Sequence, residues 1–298
     1  MANDLKAVPE VHSALIRAGL DPSGLKPIGV RPPLLEYLRA LWGRRRFIWY
    51  DSRQRAATQN SRNILGNLWL VLRPLVDVSV YFVIFGLLLK VDRGVDNFPA
   101  FLAVGVLLFR STSAAFGGGA ALLHNNKAII RAFNFPRASI PIASVLQSAM
   151  TALFTILTLC VIIAVVPPHE LPTLTWLLMV PIFVLHTLLN LGITLITSRL
   201  GFHFPDMKNM LTVVNRFLMY GSGVMFPIDS FISDPTISAI VRLNPLYRII
   251  DMARTALIDG QVPDVASWLI ATAWVVVLCV GGLVYFWRGE ASYGRELG

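Results

Sequence analysis

Three arginines and one acid sit well inside long apolar runs of this chain: Arg73, Arg110 and Arg216, and Asp77. Arg73 and Asp77 stand four apart, on one face of any helix that carries them, and the spacing predicts that they pair with each other in a structural role. Arg110 and Arg216 have no acid at helical spacing, which makes them candidates for a hydrated path or for a contact between helices. A second stretch able to do chemistry is LHNNKAIIRAFNFPRASI, Leu123 to Ile140, a polar and basic connector between two apolar runs. In and beside it, Leu122, Leu123, Ile129, Ile130 and Phe133 offer a small apolar face, and His124, Asn125, Asn126, Lys127 and Arg131 supply polar contacts. Taken alone it is either a solvated loop or a brief amphipathic turn of helix.

None of these residues builds an active site. No lysine directly follows a glycine, so a G-x-x-x-x-G-K-[ST] phosphate-binding loop is impossible, and G-x-G-x-x-G, G-x-S-x-G and H-E-x-x-H are absent as well. His12, His124, His169, His186 and His203 are scattered, with no pair at metal-ligand spacing. His186 lies in an apolar run and is expected to hydrogen-bond to a neighbouring helix. Cys160 and Cys279 also lie in apolar runs and behave as small apolar side chains rather than as a disulfide. The chain is therefore not expected to be an enzyme, and it carries no cofactor or metal of its own.

The elements that position these residues follow from composition. The 298 residues are 55% hydrophobic and only 14% charged, with a mean hydropathy of +0.63, whereas soluble domains carry roughly a quarter charged residues. This is an integral membrane protein. Its net charge of +9 does not indicate nucleic acid, because such a binder needs an exposed basic face or a known module. Six runs are long enough to cross a hydrocarbon layer of about 30 Å: Ile64 to Leu89, Phe98 to Leu122, Ser139 to Val166, Leu174 to Leu200, Met210 to Phe226 and Ala266 to Trp287. The fifth is the shortest and has an alternative start near Met207.

Ahead of them, residues 1 to 30 read as a loosely ordered arm with no secretory leader. From Pro33, Leu34, Leu35, Leu38, Leu41 and Trp42 form an apolar stripe beside Glu36, Arg39 and Arg44 to Arg46, the pattern of an amphipathic helix lying in the headgroup region. With the N-terminus inside, 18 lysines and arginines flank the spans on that side against 5 on the other, which places both termini in the cytosol. The connector from Pro227 to Val265 reads as two helices broken at Asn244-Pro245. It is either a hairpin dipping into the outer leaflet or one lying wholly outside. The whole is an all-α integral membrane protein: a cytosolic arm and interface helix over residues 1 to 63, then a six-helix transmembrane domain over 64 to 298 with an extracytoplasmic helical hairpin between spans five and six.

Several ordered pieces resemble the membrane subunit of ABC-2 type exporters, in particular the O-antigen, galactan and related cell-surface polysaccharide permeases. They are LGNLWLVLRPLVDVSVYFVIFG at Leu65 to Gly86, FPRASIP at Phe135 to Pro141, LGFHFPDMKNM at Leu200 to Met210, FPI at Phe226 to Ile228, LNPLYRIIDMARTALIDG at Leu243 to Gly260 and FWRGEASYGREL at Phe286 to Leu297. One departure is Pro205 before Asp206, where relatives commonly carry an arginine.

The resemblance implies a half-transporter of the bacterial cytoplasmic membrane. A second copy of the chain and two copies of a separate ATPase complete it, with ATP and Mg bound on the ATPase, and a lipid-linked polysaccharide and membrane lipids are the other partners. It implies that the connector between spans two and three is a coupling helix seated on the ATPase, using Leu122, His124, Asn125, Asn126, Lys127, Ile129, Ile130, Arg131 and Phe133. It places the substrate path along spans one and five, at Trp69, Tyr81, Phe82, Phe85, Phe217, Tyr220 and Phe226, with Arg216 beside them, where aromatic faces cover sugar C–H surfaces. It makes Ile237 to Ile258 the outer gate, with Ile237, Asn244, Pro245, Tyr247 and Arg254 as its residues. Alternatives are an exporter of teichoic acid, small lipids or drugs on the same scaffold and, with less support, a membrane-embedded transferase. A secondary transporter is disfavoured because Asp77 is the only acid well inside a span.

Overall fold

The structure, a computed structural model, describes residues 32–61, 63–89, 95–133, 135–168, 170–228 and 234–296. The expected N-terminal arm and His169 lie outside the described residues. Helices α1 (Leu34–Gly43) and α2 (Arg45–Thr58) meet at Arg44, where one continuous interface helix was expected. A single turn over Gly66–Leu68 leads into α3 (Trp69–Tyr81) and a π-helical segment, Phe82–Leu88. Then come α4 (Phe98–Asn125), α5 (Lys127–Ala132), α6 (Ser139–Val165), α7 (Met179–His203, entered through a turn at Leu174–Leu178) and α8 (Met207–Gly221). Last are α9 (Pro235–Leu243), α10 (Pro245–Leu257), α11 (Val265–Arg288) and α12 (Glu290–Glu296).

Among the described residues, five helical stretches are long and apolar enough to cross a membrane: Gly66–Leu88, Phe98–Asn125, Ser139–Val165, Leu174–His203 and Val265–Arg288. The chain is a multi-pass membrane protein. The expected fifth span, Met210 to Phe226, instead begins at Met207 and stops at Gly221 after 15 residues, about 22 Å at 1.5 Å per residue. It stops because the chain turns through Gly223 at φ +60, a conformation costly for a residue with a Cβ, and because the Arg254 guanidinium grips the carbonyls of Gly223 and Val224. The first span is not a straight α-helix either. Pro74 lies inside α3, removing a ladder hydrogen bond, and the helix widens to π geometry beyond Tyr81.

Caps set the other starts. Asn97 accepts from the Ala100 N–H at 3.2 Å, Asp234 from Thr236 at 2.7 Å, Asn244 from Leu246 at 3.0 Å and Asp264 from Ser267 at 2.6 Å, each contributing about 1 kcal/mol. Helix α4 is the centre of the bundle, against α3, α6, α7, α8 and α10, and its residues from Ala100 to Phe109 are all buried. Close approach needs glycine at two crossings of α7. A Cβ on Gly192 would meet the Leu278 backbone at 2.6 Å, and one on Gly201 would overlap the backbone of Ala120. Gly119 meets Thr197 in the same way, whereas Gly117 and Gly118 face open space.

The two helices expected on either side of Asn244 and Pro245 are present and differ in burial. Helix α9 leaves Ile237, Ile240 and Leu243 exposed, while α10 buries Leu246, Ile249, Ile250, Met252, Ala253, Ala256 and Leu257 against the core. At the other end of the bundle, α2 lies on α6, with Ile48 buried and the Ser52 hydroxyl donating to the Ala143 carbonyl at 3.0 Å. Helix α1 buries Tyr37 and turns Leu35, Leu38 and Trp42 outward.

Candidate functional site

Two regions gather the residues able to act: a braced end of the bundle and a polar groove along α3. At the braced end, α4 stops at Asn126, whose side-chain amide donates to the Leu122 carbonyl at 2.8 Å. Its oxygen accepts from the Arg55 guanidinium at 3.4 Å, and Arg55 is itself held by Asp51 at 2.9 Å. The last turns of α2 therefore fix the start of α5. Ile130 turns inward into an apolar cluster with Tyr37, Leu122, Leu123, Phe202, Phe286 and Tyr293. His124, Asn125, Lys127, Arg131 and Phe133 face outward, Phe133 at 66% exposure, and Ile129 is half-buried. Nine residues expected on one docking face thus divide. Leu122, Asn126 and Ile130 anchor the element, and the others form its outer surface.

Beneath α5 lies a buried carboxylate. The Tyr37 hydroxyl donates to one Glu290 oxygen at 2.8 Å, and the other accepts from the Arg137 N–H at 2.9 Å and from the Arg137 guanidinium at 3.4 Å. The Tyr37 oxygen in turn accepts from the Ala138 N–H at 3.0 Å. Burial pushes the Glu290 carboxyl above the ordinary glutamate range, opposed by the Arg137 and Tyr37 contacts. Burial likewise pushes the Tyr37 and Tyr293 hydroxyls above the ordinary tyrosine range. This brace ties together α1, the Phe135–Pro136–Arg137 segment after α5, and α12. Four basic-rich stretches, α1–α2, the connector around α5, the α7–α8 turn and the region after α11, share this end of the molecule, with Phe202 against His124 and Tyr293.

The groove begins at Gln59 and Asn60, just past α2, as an open cleft of 520 Å³ that also takes in Trp69, Arg73, Arg110, Ser111, Ser148 and Thr151. A second cleft of 370 Å³ continues past Arg73, Asp77, Tyr81, Arg110, Ser113 and Asn215 to Val224 and Met225. Arg73 and Arg110 belong to both. Asp77 pairs with Arg110 on α4, not with Arg73 four residues away as the spacing suggested. Partner choice is decided by the α3–α4 packing rather than along one helix. Opposite α3, the Asn215 amide donates to Ser113 at 2.7 Å. A small side pocket off the first cleft reaches Asn190, which donates to Ser111 at 3.2 Å, and His186 shares a hydrogen bond with Thr112 at 2.9 Å, the interhelical contact its position predicts.

A family model for the ABC-2 type transporter matches residues 54–258. The chain belongs to the ABC-2 type transporter family. It is 26% identical over 226 residues to the O-antigen export system permease protein RfbA of Klebsiella pneumoniae, covering 75% of this chain and 84% of that one. It is 21% identical over 216 residues to RfbA of Myxococcus xanthus, 72% and 82% of the two chains. It is 26% identical over 231 residues to the polysialic acid transport protein KpsM of Escherichia coli, 76% and 87% of the two chains. The matched range holds the groove, α5 and α10, while Tyr37 and Glu290 fall outside it.

Within this ABC-2 chain the expected path residues separate. Trp69 and Tyr81 line the groove. Phe82, Phe85 and Phe226 pack on the apolar core. Phe217, at 74% exposure, Tyr220 and Arg216 sit on the outward face of α8. Of the expected gate residues, Ile237 is exposed, Asn244 caps α10 and holds Ser222 at 2.9 Å, Pro245 opens α10, and Tyr247 is buried. Arg254 is a buried clamp on the carbonyls of Phe101, Gly223 and Val224. The sequence reading placed Trp69 and Tyr81 on the path and Arg73 with Asp77 on one helix face, but did not join the four into one stripe, although the four-residue spacing was there to be counted. It also missed Glu290, whose only signal was its place within the FWRGEASYGREL piece.

Proposed function

We propose that this chain is the membrane-spanning permease subunit of an ATP-driven exporter that moves lipid-linked polysaccharide, of O-antigen or galactan type, across the bacterial cytoplasmic membrane. Two copies stand together, each crossing six times, with α8 and the α9–α10 hairpin making up the fifth crossing and both termini in the cytosol. Two separate ATPase subunits bind ATP and Mg. The observation that carries this reading is the groove: a polar path running from the braced end to the turn held by Arg254, in a chain whose relatives are named for O-antigen and polysialic acid transport. Aromatic rings at Trp69 and Tyr81 suit sugar faces, and the Ser, Thr and Asn side chains opposite suit sugar hydroxyls. Helix α1 lies in the headgroup region through Leu35, Leu38 and Trp42.

The outer surface of α5 is the ATPase dock. ATP binding to the partner favours one arrangement of the paired subunits by the difference in its affinity for the two, and α5 passes that difference to the bundle. Because α5 is tied to α2 through Asn126 and to α12 through the cluster under Ile130, it moves with the bundle end and not alone. The double substitution Lys127→Glu and Phe133→Ala changes exposed groups only. It is expected to weaken ATPase association roughly 30-fold, the loss of about 2 kcal/mol typical of a central interface residue, with export falling in step. Affinity-tagged pull-down of the ATPase measures the first and surface glycan the second. Unchanged association in a folded variant removes α5 as the dock.

A further inference from the structure

The charges lining the groove do not balance. Among the residues bordering its two clefts, Arg73, Asp77 and Arg110 are the ionisable groups of acid or guanidinium type, two cations against one anion. Asp77 is taken by Arg110. Arg73, exposed at the point where both clefts meet, has no ion pair or hydrogen bond among the described residues. An arginine within a membrane-crossing helix is retained against its insertion cost where it faces water or a ligand. A planar guanidinium fork binds phosphate and carboxylate oxygens two at a time, and Arg110, its charge offset by Asp77, borders the same clefts with further N–H donors.

The order of side chains along α3 sharpens this. Trp69, Arg73, Asp77 and Tyr81 fall at successive intervals of four, one stripe on the helix, and each lines the groove. Arg73 and Asp77 occupy the middle of the stripe, with Trp69 beyond Arg73 at one end and Tyr81 beyond Asp77 at the other, and with Asp77 engaged by Arg110 the unmatched charge is that of Arg73. A polymer carrying a negative charge on every repeat would be held at such a point again and again. A substrate carrying one oxyanion, at the junction between lipid and glycan, would be held there once.

We propose that Arg73, supported by Arg110, is an oxyanion station that receives the phosphate or pyrophosphate joining the glycan to its lipid. Trp69 and Tyr81 flank the attached sugar and prenyl segments. The proposal rests on the exporter reading above, and its test separates the two. The purified full-length chain is titrated with a polyprenyl pyrophosphate, with the polyprenol of equal length, and with inorganic pyrophosphate. The wild-type chain is expected to bind the polyprenyl pyrophosphate at least about tenfold more tightly than the polyprenol. Arg73→Gln abolishes that preference and Arg73→Lys restores part of it. Equal binding of both lipids by the wild type, or an unchanged preference in Arg73→Gln, overturns the station. Inorganic pyrophosphate binding as tightly as the lipid overturns its assignment to a lipid-borne group. If Arg73→Gln does not accumulate, the wild type still decides: rising ionic strength must weaken the pyrophosphate lipid and leave the polyprenol unaffected. Glycan export by wild type and Arg73→Gln at equal rates contradicts the station while leaving the exporter reading intact. Absence of ATP-driven export by the wild type contradicts the exporter reading, and the binding titration then judges the station by itself.

Discussion

Replacing Arg254 with alanine is expected to leave little folded protein. The side chain is 7% exposed and donates to the Gly223 carbonyl at 2.8 Å, to Val224 at 3.0 Å, and to Phe101 at 3.1 and 3.3 Å, with its guanidinium carbon 3.3 Å from the Phe101 ring centroid. Truncation strands the Gly223 and Val224 carbonyls in a buried setting and removes an added bond from the Phe101 carbonyl, which lies within the ladder of α4. A buried acceptor left unmatched costs about 1–3 kcal/mol, so the sum is about 3 kcal/mol or more against a typical total stability of 5–15 kcal/mol. The damage is also positional. Arg254 fixes the turn that ends α8, the start of α4 and the seat of α10 together, and Gly105 has no side chain because a Cβ there would strike its guanidinium at 2.6 Å. Arg254→Lys keeps the charge with fewer donors and should fall between wild type and alanine. Thermal unfolding in detergent ranks the three, and a monodisperse Arg254→Ala with the wild-type midpoint would contradict the clamp.

Glu290→Ala carries the second large effect. Glu290 is 3% exposed and serves α1 through Tyr37 and the segment after α5 through Arg137. Removing one member of a buried charged network typically costs about 3–5 kcal/mol. Glu290→Gln keeps the shape but only one of the two acceptor oxygens, facing an NH2 toward a former donor, and should cost about 1–3 kcal/mol, less than alanine. The consequence reaches the dock. With the brace gone, the cluster beneath Ile130 is expected to loosen, and association with the proposed ATPase partner is expected to fall although no exposed α5 residue has changed. The pH dependence has a definite sign. Because the folded protein holds the Glu290 proton more tightly than the unfolded chain, the contribution of this group is complete below the ordinary glutamate range and is lost as pH rises through the raised value. The stability of wild type relative to Glu290→Gln should therefore decline from acidic toward neutral pH. An increase over that interval would contradict a burial-dominated carboxyl.

Much of the architecture was legible because hydropathy is local. Ser139 to Val166 was expected and Ser139–Val165 found, Ala266 to Trp287 was expected and Val265–Arg288 found, and the proline after Asn244 did divide two helices. What escaped was set by contacts distant in sequence. Asp77 chose Arg110 across a helix interface, and Glu290 chose Tyr37, 253 residues away. The early end of α8 could not be read from its apolar run because a buried arginine on α10 and a glycine turn impose it. The burial of α10 against α4, α7 and α11 was likewise not legible, because it is set by helices distant in sequence. The stretch expected to dock was read as one face and not divided, since hydropathy does not say which side of a six-residue helix meets Tyr293 and Phe202.

The central claim is that glycan crosses the membrane along this chain, driven by ATP hydrolysed on a partner. Sealed vesicles holding the chain with its ATPase, supplied on the ATPase side with a lipid-linked oligosaccharide and ATP, measure it directly. Glycan is expected to become protected from an added external glycosidase only when ATP and both proteins are present, and Lys127→Glu with Phe133→Ala is expected to remove the protection. Protection that develops without ATP or without the ATPase, or ATP-driven movement of small amphiphiles with none of glycan, would contradict it.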